Sequence, residues 1–226
     1  VRVVDLSHPL STGMPVFPGD PEVRIATAVS IPEAGANVMS LELGSHSGTH
    51  VDAPSHSIEG GATIDEIDPS RLIGPLRVID VVGLPPRTRI SAADIAGQLA
   101  EVRRGDIVLF RTGWSRHFGE AAYLDHPFLD AGVAVALLSS GVTVMGVDAL
   151  NPDETPAEDI APDLPFHAAF LGAGGLIIEN LTHLDELGDG GHRFIGLPLA
   201  ITGGDGSPLR AIAVDAGAFS TPGAGS

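Results

Sequence analysis

The sequence predicts an α/β (α+β) domain built on a mixed, β-rich sheet. Short β-branched runs bounded by Gly and Pro outnumber helical stretches. Glycine accounts for 29 and proline for 18 of the 226 residues, and aromatic residues for only 4%. That composition suits turn-rich structure around an aliphatic core. The hydrophobic share of 43% is enough to build such a core, so disorder is not the expectation. No fixed-period repeat and no long linker divides the chain. A single domain over residues 1–215 is expected, followed by a loose tail of small residues over 216–226.

In chain order, the expected strands are Arg2–Leu6, Val23–Ile31, Val38–Leu43, Leu76–Val82, Asp106–Arg111, Val142–Val147, Gly175–Glu179, Phe194–Ile201 and Leu209–Val214. A helix is expected at Ala92–Ala100, with Ser91 and Asp94 as a capping pair. A second runs over Asp130–Ser139 and is closed by Gly141. A short third helix is expected near Pro165–Leu171. The runs "IVLFRTGW" and "VTVMGVDA" place Thr112, Trp114 and Asp148 at strand ends, where turn residues and site residues both occur.

Several function classes are disfavoured. A formal charge of −17 argues against holding nucleic acid or an anionic membrane by charge. Without cysteine there are no disulfides and no thiolate zinc sites. The opening "VRVVDLSHPL" lacks the apolar run of a signal peptide. The most apolar stretch, "AGVAVALLSSGVTVMGVDAL", is broken by Ser139, Ser140, Gly141, Gly146 and Asp148. A helix followed by a buried strand fits it better than a membrane span. A cytoplasmic protein acting on a small molecule is expected.

The segment "SHSGTHVDAPSH", Ser45 to His56, holds three of the nine histidines and an aspartate. His50 and Asp52 can reach one metal ion from a single strand face. In a straight strand His46 would start roughly 13 Å from His50, too far to share it. A bend at Ser47-Gly48-Thr49 would bring His46 in, and so would one helical turn. Pro54 then fixes the exit. His56 falls beside the site, where an imidazole with a near-neutral pKa can serve as base and then acid. Elsewhere, His167 lies on the short helix and Glu179 ends an apolar strand. They are the best additional ligands, because a buried lone carboxylate is costly and a cation offsets it. The other reading is an exposed strand-end glutamate and a surface histidine. His8, His117, His126, His183 and His192 lie in loop-like segments and are expected at the surface.

The motif "HSGTHVDAPSH" resembles the His-x-Gly-Thr-His-x-Asp-x-Pro-x-His signature of the cyclase-like metal-dependent hydrolases. That family includes bacterial-type kynurenine formamidase and isatin hydrolase. The segments "DLSHPLSTGMPVFPGDP", "RTGW", "GVDALNPD", "HAAFLGAGGLIIENLTHLDEL" and "LPLAITGGDGSPLRAIA" extend the resemblance over nearly the whole chain. The resemblance implies a swivelling β/β/α domain assembled as a homodimer or homotetramer. It implies two divalent ions, Zn2+ or Mn2+. His46, His50 and Asp52 would hold the first, and Asp52 would bridge to a second completed by His167 and Glu179. His56 would be the general acid/base, a residue that a purely structural metal site does not need. Formal charges would leave the site at about +2, so the global charge does not describe it. The implied activity is hydrolysis of an amide or formamide C–N bond. Hydrolysis of a cyclic imide, an isatin-like lactam or a lactone is an alternative, as is a secondary-metabolism cyclase or dehydratase. Phe17 stands where kynurenine formamidases of this type carry Trp, which makes Phe17, with Trp114, a candidate substrate contact.

Overall fold

Ile107–Arg111 illustrates why the apolar runs become strands. Ile107 and Leu109 enter one hydrophobic core, while Val108 and Phe110 enter another. Such two-sided burial requires layers on both faces of the sheet. Each large side chain fully removed from water contributes roughly 1.5–3 kcal/mol.

A computed structural model describes residues 1–156, 163–188 and 191–219. Its strands are β1 Val3–Asp5, β2 Arg24–Val29, β3 Val38–Glu42, β4 His50–Asp52, β5 Ile73–Asp80, β6 Arg89–Ile90, β7 Ile107–Arg111, β8 Phe128–Leu129, β9 Val144–Val147, β10 Leu176–Glu179, β11 His192–Pro198 and β12 Gly206–Asp215. Its helices are α1 Ile31–Ala34, α2 Ala96–Leu99, α3 Ala131–Ser139 and α4 Pro165–Gly172.

Among the described residues, the main sheet runs β1-β12-β11-β5-β7-β9-β10-β4, and β4 also pairs with β12. All of these strands except β1 therefore close into a ring. The β5, β7, β9 and β10 neighbours are parallel, and the remaining pairings are antiparallel. The mixed sheet is the one expected. Val51, Leu109, Ile178 and Phe194 fill the core enclosed by the ring. On the outer face, Phe110, Met145 and Ile177 pack with Val133, Leu137, Phe166 and Phe170 of α3 and α4.

α3 starts where expected, because Asp130 Oδ1 accepts from the Val133 N–H at 3.2 Å. Such a cap contributes about 1 kcal/mol. The helix expected at Ala92–Ala100 shortens to one turn at Ala96–Leu99. Asp94 Oδ2 accepts from both the backbone and the hydroxyl of Ser91, which closes a separate turn ahead of it. β5 begins three residues before the expected strand, because Ile73, Gly74 and Pro75 pair with β11 despite the Gly-Pro. The two-residue strands β6 and β8 are too short to carry a recognisable alternation in the sequence. The pair β2–β3 forms a separate two-stranded sheet. Ala216–Phe219 make a 3-10 turn at the start of the expected tail, and residues 220–226 lie outside the described residues. No helix among the described residues is long and apolar enough to cross a membrane.

Candidate active site

Strand register brings the first candidates together. β4 and β10 pair antiparallel with Glu179 opposite His50 and Ile177 opposite Asp52. Directly opposed residues share a face. His50, Asp52 and Glu179 therefore project on the side away from Val51 and Ile178. α4 packs over β10 and brings His167 onto that face.

The expected bend is present. Gly48 has φ +64°, and a Cβ there would lie 2.8 Å from Leu10 Cδ2. The positive φ favours glycine, while the Leu10 methyl could swing aside. The turn places His46 Nδ1 2.7 Å from Asp52 Oδ1. β12 passes close to the same ring, since a Cβ on Gly206 would lie 2.7 Å from His46 Cε1.

Among the described residues, two donor groups share Asp52, namely His46, His50 and Asp52, and then Asp52, His167 and Glu179, while His46, His56 and Asp205 make a third beside them. His50 Nε2 lies 3.3 Å from Asp52 Oδ1 and 3.4 Å from Glu179 Oε2. His167 Nε2 lies 3.1 Å from Glu179 Oε1 and 3.5 Å from Asp52 Oδ2. These atoms converge without forming good hydrogen bonds. His50 Nε2, Asp52 Oδ2 and Glu179 Oε1 are buried and have no hydrogen-bond partner.

The outward nitrogens explain this aim. His50 Nδ1 donates to the Gly48 carbonyl at 2.8 Å, and His167 Nδ1 donates to Asp153 Oδ2 at 2.6 Å. His46 Nε2 sits 3.1 Å from Asp205 Oδ2. With the outer nitrogen of each ring committed, a neutral imidazole turns a lone pair toward the carboxylates. Lone pairs facing two buried carboxylates fit a divalent cation of the kind His and carboxylate bind. The electrostatics point the same way. Burial opposes charge on His50, yet Asp52 and Glu179 outweigh it and raise the ring to about 10. His46 and His167 are also raised against burial, by Asp52 for the first and by Asp153, Asp52 and Glu179 for the second. The face attracts positive charge strongly.

His56 closes the short 3-10 turn Pro54–His56. Its ring lies 4.0 Å from that of His46 and 5.8 Å from that of His167, centroid to centroid. Its Nδ1 is 3.6 Å from Asp205 Oδ2. Burial raises the Asp205 carboxyl, but Ser45 and His46 outweigh it and lower it to about 2. Asp205 therefore stays charged beside both rings.

His46, His50, His56, His167 and Glu179 floor a cavity of about 210 Å3, with Phe17, Asp20, Leu150, Asn151, Leu164 and Asn180 around it. Phe17 stands on the wall. Trp114 does not reach the cavity. Its ring is in the outer core, and its Nε1–H donates to the Ala122 carbonyl at 3.0 Å. Its strand-end position turns it inward, which corrects its assignment as a substrate contact. Asp148 holds the chain at Thr112–Gly113, since its carboxylate accepts from the Thr112 N–H, the Thr112 hydroxyl and the Gly113 N–H.

The sequence reading missed Asp153, Asp205, Asn151 and Asp20. Asp153 accepts from the Phe166 and His167 backbone N–H groups as well as from the His167 ring, so one carboxylate starts α4 and aims its histidine. Its only sequence signal is its place in "NPD", and that of Asp205 its place in "GGDGS". Of the histidines expected at the surface, His126 is buried, His192 is mostly covered, and His8 stacks on Phe118 with ring centroids 3.7 Å apart.

The chain is similar to several known proteins. Residues 4–154 match a family described as "Putative cyclase". A kynurenine formamidase of Salinibacter ruber is 35% identical over 224 residues, 96% of this chain and 99% of that protein. An isatin hydrolase solved with the product analogue thioisatinate superposes with a TM-score of 0.85 at 29% identity, covering 95% of this chain and 92% of that one. A structure described as a potential metal-dependent hydrolase with cyclase activity gives 0.76 at 30% identity, covering 95% and 98%. The family match spans most of the chain and the likeness to these relatives nearly all of it, so the chain belongs to the cyclase family.

Proposed function

We propose that this chain hydrolyses a C–N bond in a small molecule, using two divalent ions, Zn2+ or Mn2+, with an N-formyl arylamine such as N-formylkynurenine as leading substrate. One observation carries the reading. Asp52 is shared by two donor groups, and the second carboxylate, Glu179, lies on the same face. His46, His50 and Asp52 would hold one ion, and Asp52, His167 and Glu179 the other. When bound, the ions supply Lewis acidity, which acidifies water and polarises a carbonyl.

The chain's own residues supply the rest. The cavity wall, with Phe17 on one side, holds the substrate body over the two carboxylates. Asp205 faces His56 Nδ1 and orients the ring, a contact that can tighten when substrate enters. His56 takes a proton from the attacking water through its other nitrogen and returns it to the leaving nitrogen. The amine then departs neutral.

The formamide reading draws on the kynurenine formamidase relative. A second reading, hydrolysis of an isatin-like lactam, draws on the isatin hydrolase fold match and on Phe17. The homo-oligomer implied by the resemblance belongs to the same proposal, and sedimentation of the purified chain tests it. A panel of N-formylkynurenine, isatin and small cyclic imides, run with Zn2+ and with Mn2+, tests the substrate. Turnover of the formamide above the lactams supports the first reading, and the reverse order supports the second. No turnover of any C–N substrate overturns both.

A further inference from the structure

Asn151 borders the cavity and is 2% exposed. Its amide orientation is dictated by a chain of partners behind it. His126 Nδ1 lies 2.9 Å from the Pro127 carbonyl, which can only accept, so Nδ1 carries the proton. Burial holds the His126 ring neutral by lowering its pKa against its hydrogen bond to Pro127. His126 Nε2 must then accept, and its partner at 2.8 Å is the Thr155 hydroxyl. With its proton given to His126, Thr155 Oγ1 accepts from Asn151 Nδ2 at 3.0 Å.

Every link therefore has one direction. Nδ2 faces the protein, and Oδ1 is left as the free end. Asn151 Oδ1 is buried and has no hydrogen-bond partner. A buried acceptor left unmet is costly, and the residue that carries it is one of those lining the cavity. Arg87 locks the frame from outside. It donates to Asp125 Oδ1 at 2.8 Å, to the Thr155 carbonyl at 3.0 Å and to Glu154 Oε1 at 3.2 Å. The loops bearing His126 and Thr155 are thereby tied to each other.

We infer that Asn151 is a specificity-determining residue whose Oδ1 accepts a hydrogen bond from a substrate N–H. The site takes amides and lactams that carry a free N–H and discriminates against esters, lactones and tertiary amides. A site built to meet a donor rejects the analogue lacking it, because its own acceptor is then stranded. Thr155 is a positioning residue, acting by holding the amide in one orientation. The inference rests on the C–N hydrolase reading and names the feature of the C–N group that is read.

The test uses two rigid bicyclic probes of the same shape, oxindole and indan-2-one, in which a ring N–H is exchanged for CH2. Calorimetry on the metal-loaded protein gives the ratio of their Kd values. That ratio should favour oxindole about tenfold or more over its value in Asn151→Leu. Thr155→Val should lose most of the preference, and Thr155→Ser, which keeps the hydroxyl, should restore it. A ratio unchanged in Asn151→Leu overturns the inference, as does failure of the wild type to bind oxindole at millimolar concentration. Turnover of an aryl formamide is measured alongside. Loss of turnover with the preference intact strikes only the hydrolase reading, whereas turnover without the preference strikes only Asn151.

Discussion

His50, Asp52 and Glu179 stand on two paired strands whose register alone puts them on one face. His167, His56 and Asn151 stand on a helix, a 3-10 turn and a loop, and each faces side chains from elsewhere in the chain: Asp153 for His167, Asp205 for His56, and Thr155 with His126 for Asn151. The strand side is secured by backbone hydrogen bonds that no side-chain change removes. The loop side depends on individual acceptors. The groups that would hold metal lie mostly on the rigid side, and those that handle protons and substrate lie mostly on the adjustable side.

The largest expected effect comes from breaking the rigid side. Asp52→Ala removes the oxygen atoms common to both donor groups. It should lose most bound metal, with turnover falling by orders of magnitude. Elemental analysis of the purified variant checks this, and two ions retained per chain would break the bridging assignment. His56→Ala comes next, on the adjustable side. Metal content should stay near normal while kcat falls on the order of 10²–10⁴-fold, the range of one acid/base group. Full activity in that variant removes His56 from the proton path.

Asp153→Asn should be smaller again. An amide can no longer accept all three donors, so His167 loses its aim. Metal affinity should fall roughly 10- to 100-fold, as for other groups that orient a ligand. A competitive chelator titration measures it, and unchanged affinity would show that α4 alone holds His167 in place.

The smallest effect concerns His8, whose backbone N–H donates to Thr49 Oγ1 beside the strand side. Burial, helped by the charge of His183, lowers the His8 pKa to about 4. The unfolded value is about 6.5. The folded state therefore disfavours the proton. The stability this contributes is complete above pH ~6.5 and is lost as pH falls from there toward about 4. His8→Phe should flatten the acid side of the Tm–pH curve in that window. A curve identical to wild type would mean that His8 titrates as it does when unfolded.

The strand side was legible because its information is local. His46, His50, Asp52 and His56 lie within one short segment, and Gly48 and Pro54 mark its bend and exit. Most of the longer strands were also legible, since burial on both faces writes itself into continuous apolar, β-branched runs. Their order was not, because nothing in β4 announces that it bridges β10 and β12 and closes the ring. The orienting residues were illegible for the same reason. Asp205 meets His46 across 159 positions of chain, and Asn151 is aimed by His126, which looks like a loop histidine in isolation. Trp114 misled because a strand end can turn a side chain to either layer.

The central claim is that the Asp52–Glu179 face performs C–N hydrolysis only with divalent ions in place. The direct measurement is formamide and lactam turnover by metal-stripped protein as Zn2+ or Mn2+ is returned stepwise. The account predicts negligible turnover without metal and recovery that levels off at about two ions per chain. Equal turnover before and after stripping would contradict it.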